Sequence, residues 1–328
     1  MRPQLYTRCR AGSQTFLLLQ SHSLGIVPTK FLLLAGLAAL TSIFLTVWFL
    51  ALRRAGAARD GANEPSTPTA RHLGIGFITN FWDTFGIGSF ATTTAAFKFW
   101  KVVRDEQIPG TLNVGHTVPT VIQALVFIVA VHVEIVTLVL VIAAACAGAW
   151  LGAGVVARLG RRKVQVGMGV ALLGAAAIVL AQLLTLVPSG EAVALTGVKL
   201  AIGVSTNVVL GALMTLGVGL YAPCMVLVSV LGMDPAVAFP IMMGSCAFLM
   251  PVAGLRFIRR RAYDVPAALG LTLGGPIAVL LAIWLLTALP TSLVRGLVFV
   301  VIVYNSISLL RSAVSEARAQ RGFALVTD

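Results

Sequence analysis

The chain has 328 residues, of which 58% are hydrophobic and only 11% charged, and its formal net charge is +13. A soluble domain carries roughly 25% charged residues, so a fully water-facing surface is excluded at this length. The cations fall in short clusters between apolar runs, as in the cytoplasmic loops of membrane proteins, and no nucleic-acid partner is expected.

Residues 1–30 are mixed in character and define no element. Phe31–Leu52 carries no charge and meets the ~20 residues that a helix needs to cross a bilayer. Ala55-Gly-Ala57 looks like a leader-cleavage site, but the run before it exceeds the core of about 7–15 residues of a signal peptide. Phe31–Leu52 is therefore read as a retained, extra transmembrane helix, followed by a basic cytoplasmic linker over 53–71.

From residue 72 the chain reads as one unit present twice. Leu73-Gly-Ile-Gly-Phe-Ile-Thr-Asn80 resembles Leu200-Ala-Ile-Gly-Val-Ser-Thr-Asn207, and Gly86-Ile-Gly-Ser-Phe-Ala91 resembles Gly217-Val-Gly-Leu-Tyr-Ala222. Asp105 answers to Asp234, and Gly115-His-Thr117 to Gly244-Ser-Cys246. Matches recurring in one order at nearly constant offset indicate duplication. Each unit is a Gly-rich segment followed by three plain spans. The first repeat, 72–187, holds Leu73–Phe97, Gly110–Val131, Glu134–Ala157 and Lys163–Val187. The second, 188–311, holds Leu195–Leu231, Ala236–Leu255, Val265–Leu289 and Ser292–Leu310. A cytoplasmic tail, 312–328, follows.

Loop charge sets orientation. The cluster Arg158–Lys163 lies between spans three and four of the first repeat, whereas Arg256–Arg261 lies between spans two and three of the second. Both clusters are cytoplasmic only if the repeats run in opposite senses. Both ends of the first Gly-rich segment are then cytoplasmic and both ends of the second external. The expected fold is an all-α polytopic membrane protein of two inverted repeats. Each repeat is a broken or re-entrant Gly-rich segment plus three transmembrane helices. Non-helical backbone at membrane depth is tolerated where it lines a cavity or is buried in protein, and inverted repeats with broken helices are a secondary-transporter architecture.

The two tips supply the candidate site. The first holds Asn80, Asp83, Thr84, Gly86, Gly88, Ser89 and Thr92; the second holds Asn207, Gly217, Gly219 and Tyr221. His116 and, by repeat logic, Ser245 face them from the second spans. Paired Gly-x-Gly turns let a solute approach the backbone, and the helix N-termini beyond them favour an anion. Asp83, an acid inside an apolar run, is either a carrier of a coupling proton or a cap on the helix that follows. His116 reads first as a packed, hydrogen-bonded residue. Gly76 and Gly203 read as close-packing positions. Cys9, Cys146, Cys224 and Cys246 show neither CxxC nor zinc spacing, and no Walker motif is present, so neither metal nor cofactor is expected.

At Gly86-Ile-Gly88, at Gly217-Val-Gly-Leu-Tyr-Ala-Pro223 and at Leu231-Gly-Met-Asp-Pro235 leading to Phe239-Pro-Ile-Met-Met-Gly-Ser245, the chain resembles the sulfite exporter TauE/SafE family of permeases. The resemblance spans Arg71 to Arg311. In the first copy Ser89 and Thr92 stand where the family has a longer glycine run and a proline. The resemblance implies a secondary transporter in the bacterial inner membrane, with a small anion such as sulfite or an organosulfonate as solute. No catalytic residues are expected. Two other classes compete: an intramembrane enzyme built on Ser89 and His116, and a membrane scaffold or assembly factor.

Overall fold

The computed structural model describes residues 29–54, 67–156, 161–184, 186, 190–214, 220–289, 293, 296–297, 299–308, 310–311 and 313–314. The described chain is helical: α1 (Thr29–Arg54), α2 (Ala70–Thr84), α3 (Ser89–Trp100), α4 (Ile108–Gly115), α5 (Thr117–Ala130), α6 (Ile135–Val156), α7 (Arg161–Leu183), α8 (Gly197–Met214), α9 (Tyr221–Val230), α10 (Ala238–Arg260), α11 (Val265–Ala288) and α12 (Phe299–Ser308). Among the described residues five helical stretches are long and apolar enough to cross a membrane: Thr29–Arg54, Asp105–Ala130, Gly197–Met214, Pro235–Arg260 and Val265–Leu286. The first Gly-rich segment is not one continuous helix, because Phe85–Gly88 separates α2 from α3. The span expected over Gly110–Val131 is interrupted at His116. The span expected to end at Leu255 continues to Arg260, carrying Arg256 and Arg259 as part of α10.

The same element order occurs twice. A helix pair is followed by a short 3-10 turn, Asp105–Gln107 in one case and Pro235–Val237 in the other, and then by a long helical stretch. The ends of α3 and α9 match bond for bond. Lys101 N donates to Lys98 O and Val102 N to Phe97 O; Gly232 N donates to Ser229 O and Met233 N to Val228 O. Both turning residues have positive φ, 51° at Lys101 and 79° at Gly232, the left-handed conformation that commonly ends a helix.

Packing is reciprocal between the halves. α2 lies along α11, and α8 lies along α6. Both crossings depend on missing side chains. A Cβ on Gly76 would sit 2.6 Å from Gly270 O, and Cβ atoms on Gly148 and Gly211 would run into the carbonyls of Val208 and Ala145. Close helix approach through small residues is how helices associate where no hydrophobic drive operates between them. Gly203 differs: its nearest neighbour is the Leu195 side chain, not a facing backbone. Between the pairs, α5 and α10 meet face to face, with Phe127 stacked on Phe239 at 5.1 Å.

Connections gather at two ends. At one end, Asp264 N donates to Thr111 Oγ1, and Gly110 lies against the Ala262 carbonyl. His72, near the start of α2, packs on Gly270 of α11. Trp48 of α1 donates to Tyr263 OH at 3.2 Å. Arg259–Arg261 precede Ala262, and Lys98, Lys101 and Arg104 lie at the end of α3 and in the connection that leads to Gly110. At the other end, Glu134 N donates to Val193 O, Asp234 N to Ala192 O, and Leu195 N to Thr137 Oγ1. Lys199 Nζ donates to Leu231 O at 3.0 Å, joining the start of α8 to the end of α9. α4–α5 thus runs from the first end to the second, and α10 runs back.

Candidate functional site

A group of buried polar side chains of the first half gathers at the break between α2 and α3. An apolar helical scaffold makes such groups costly unless each finds a partner. Asp83, Thr84, Asn80, Ser89, Thr93, His116 and Gln123 are all buried.

The break itself rests on two glycines. Gly86 and Gly88 have φ of 93° and 86°, a region that non-glycine residues avoid. The turn closes through Gly86 N donating to Asp83 O and Ile87 N to Trp82 O. α3 then starts at Ser89 with Gly88 as its N-cap, which has no side chain to cap with. Asp83 supplies that function from across the turn: Ser89 N donates to Asp83 Oδ1 at 2.5 Å. The second carboxylate oxygen accepts from Gln123 Nε2 at 3.1 Å. That amide also donates to Thr84 Oγ1 at 2.9 Å. Tyr221, from the start of α9 in the other half, directs its hydroxyl between Gln123 Oε1 at 3.3 Å and Asp83 Oδ2 at 3.5 Å. The Asp83 carboxylate therefore occupies the positive end of α3 and is reached by groups from both halves of the chain.

One turn deeper lies the second polar group. Asn80 Nδ2 donates to Gly76 O at 2.7 Å, which turns its Oδ1 toward His116 Nδ1 at 2.9 Å. Because Oδ1 only accepts, His116 Nδ1 carries a proton. On the neutral ring Nε2 is the acceptor, and Thr93 Oγ1, 2.9 Å away, donates to it. Neither nitrogen faces Ser89. His116 sits where α4 meets α5, and the cause is in the sequence. Pro119 has no N–H, so Gly115 O lacks its intrahelical donor. Thr272 of α11 donates to that carbonyl instead, at 2.9 Å.

The second half keeps only part of this arrangement. Asn207 Nδ2 donates to Gly203 O at 2.9 Å, as Asn80 does to Gly76 O. Yet Asn207 Oδ1 and Ser245 Oγ are buried and have no hydrogen-bond partner among the described residues. Thr215, Gly217 and Gly219 lie outside the described residues, so the second Gly-x-Gly tip is not described. Cys246, next to Ser245, contacts the Met214 sulfur at 3.7 Å, and Cys224 is a buried free thiol.

Several sequence-selected residues stand together here: Asn80, Asp83, Thr84, Ser89, His116 and Tyr221. Thr92 does not join them. It is half-exposed and turns its hydroxyl back to the Gly88 and Ser89 carbonyls of its own helix. Its neighbour Thr93 is the one that reaches His116. Gln123 was not singled out, although it is an amide inside an otherwise apolar run. Glu134 accepts from the Val136 and Thr137 amides and so caps α6, and Asp264 caps α11 through Ala267 N. Among the described residues no group of His, Cys, Asp and Glu side chains could hold a metal ion.

The chain matches no protein-family model, no curated protein and no solved structure.

Proposed function

We propose that the chain is a secondary transporter of a small anion, built from two inverted repeats whose broken helix pairs α2–α3 and α8–α9 enter the membrane from opposite sides. The reading is supported by the two clusters of connections. The outer ends of α2 and α3 lie with the loops around Ala262. Those of α8 and α9 are tied together at the opposite end by Lys199 and Leu231. The basic loops Lys98–Arg104 and Arg259–Arg261 share one end, which the positive-inside rule makes cytoplasmic.

The observation that carries transport is the Asp83 carboxylate on the N-terminus of α3. A carboxylate at membrane depth is expensive and serves function by default. Here it acts as a resident anion on a site that suits anions. A solute anion and the ionised carboxylate compete for the same amide. Once Asp83 takes a proton, its hold on Ser89 N–H weakens and a solute anion can replace it. Proton uptake and anion binding are thereby linked, and the solute crosses with the proton. Gln123 and Tyr221 follow the exchange because both already reach Asp83. The choice of sulfite or an organosulfonate rests on the family resemblance alone, as does placement in a bacterial inner membrane. An intramembrane Ser89–His116 hydrolase finds less support, since both His116 nitrogens are engaged by Thr93 and Asn80.

The test is flux. Liposomes containing the purified protein should accumulate sulfite or methanesulfonate when an inward proton gradient is imposed. Asp83→Asn should keep binding of the anion but remove its dependence on pH. Failure of wild-type liposomes to move either anion under any ion gradient would defeat the reading.

A further inference from the structure

The groups that reach the Asp83 carboxylate are not equivalent. The Ser89 backbone N–H and Gln123 Nε2 only donate. The hydroxyls of Ser89 and Tyr221 either donate or accept. Of these groups, Tyr221 is the one that belongs to the second half. The Gln123 amide is fixed in orientation. Thr84 gives its hydrogen to Asn80 O at 2.9 Å, so its oxygen accepts from Gln123 Nε2. Gln123 Oε1 therefore faces Tyr221, 3.3 Å away. One phenol hydrogen thus stands before two buried acceptors, Gln123 Oε1 and, at 3.5 Å, Asp83 Oδ2.

The charge on Asp83 decides which acceptor it serves. An ionised carboxylate is the stronger acceptor, so the hydrogen then goes to Oδ2. A proton added to Asp83 goes on Oδ2 as well, because Oδ1 faces the Ser89 N–H. The new O–H needs an acceptor. Gln123 Nε2 is a donor, whereas the Tyr221 oxygen has a free lone pair. Once Tyr221 accepts, its own hydrogen turns to Gln123 Oε1. The phenol C–O bond rotates and no O–H bond breaks. Each member of the chain from Asp83 O–H through Tyr221 O–H to Gln123 Oε1 then has a partner.

We infer that Tyr221 is the positioning residue that passes protonation of Asp83 to the second half of the chain. Its hydroxyl donates to Asp83 while the carboxylate is ionised, and reverses to accept from Asp83 and donate to Gln123 once it is protonated. α9 is held to α2 in the first state and bridged to both α2 and α5 in the second. A charged hydrogen bond is roughly twice as strong as a neutral one, so the two states differ in what α9 is held to more than in how tightly. Thr120 of α5 also bonds the phenol. The other titratable side chains around the pair are His116, held by Asn80 and Thr93, Cys224 of α9, and Cys246 of α10, which lies within reach of the Asp83 charge. The charged groups of α3, α8 and α11 sit at the connecting ends: Lys98 with Asp105, Lys199 on Leu231 O, and Asp264 at the start of α11. The use of the reversal in coupling rests on the transport reading; the reversal itself does not.

The test is a pH titration of the detergent-purified full chain, followed by infrared difference spectroscopy with tyrosine isotope-labelled at the phenol carbon. Protonation of Asp83 should raise a carboxylic C=O band that is lost in Asp83→Asn. The tyrosine C–O band should shift with the same midpoint. The chain has 4 tyrosines, so variants assign the shift. Tyr221→Phe keeps the ring and should abolish the tyrosine shift while the carboxylic band persists. Tyr304→Phe, on α12, should abolish neither. Gln123→Leu removes the second acceptor and should diminish the tyrosine shift. If Tyr221→Phe does not fold, the common midpoint and the loss of both signals in Asp83→Asn decide. A tyrosine band that stays still while Asp83 titrates would overturn the inference, as would absence of any carboxylic band. So would a carboxylic band that moves in Ser89→Ala and not in Tyr221→Phe, which would place the new O–H on the serine. Proton-driven flux in liposomes reads transport separately: a coupled tyrosine shift without flux removes transport and keeps the reversal, and flux with a still tyrosine does the opposite.

Discussion

Asn80 and Asn207 sit on matched helices with matched backbone anchors, and one is fully bonded while the other is not. At Asn80 and His116 burial and satisfaction go together, although His72 Nε2, also in the first half, is buried with no partner among the described residues. The Asn80–His116–Thr93 chain has the donors and acceptors it needs, and it braces α2, α3 and the α4–α5 junction against one another. In the second half the amide anchor is kept, but Asn207 Oδ1 and Ser245 Oγ have no hydrogen-bond partner among the described residues. Scaffold and chemistry are thus separable: the turns that end α3 and α9 and the acidic caps of α6 and α11 are alike, and the polar groups between them are not.

Erasing the difference should have the largest effect. His116→Ser would give the first half the residue type that the second has at the matching position, baring Asn80 Oδ1 at a cost of about 1–3 kcal/mol, plus a cavity term for the lost ring. The Tm of purified protein should fall, and imidazole should recover part of the loss if the vacancy is the cause. Next come the glycines of the α2–α3 turn. Alanine at a positive φ costs roughly 1–2 kcal/mol. At Gly88 the new methyl meets nothing, whereas at Gly86 it runs into the Met225 methyl of α9. Gly86→Ala should therefore lower the Tm more than Gly88→Ala, and restoring space with Met225→Ala should narrow the gap between them. The smallest effect should come from Thr272→Val, which removes the donor to Gly115 O for about 1 kcal/mol and should increase hydrogen exchange around His116.

Much of the fold was legible because lipid imposes a simple code. A run without charge is a helix, and its ends are marked by Arg and Lys. α6, expected over Glu134–Ala157, occupies Ile135–Val156, and α11, expected over Val265–Leu289, occupies Val265–Ala288. The break at Gly86–Gly88 was legible from glycine spacing, and Asp83 from being an acid in an apolar run. The rest depended on helix phase. Three consecutive threonines, Thr92–Thr94, cannot reveal which one points inward until the start of α3 fixes the rotation. Gln123 escaped because the run was read for charge, and an amide carries none. The interruption at His116 had a visible signal in Pro119, whose missing N–H falls on Gly115. That His116 pairs with Asn80 and not with Ser89 could be found only once three helices were placed together.

That missing N–H has a mechanical consequence. A helix bent by strain can straighten when the strain is relieved, because its donors and acceptors re-form. The junction between α4 and α5 cannot recover its α-helical bond at this point, since Pro119 leaves the Gly115 carbonyl without the donor four residues on. The carbonyl is pinned by Thr272, which belongs to another helix. Bending at His116 therefore loads a bond between two helices as well as those that span the junction, and the stiffness of the joint depends in part on how α11 moves against α4 and α5.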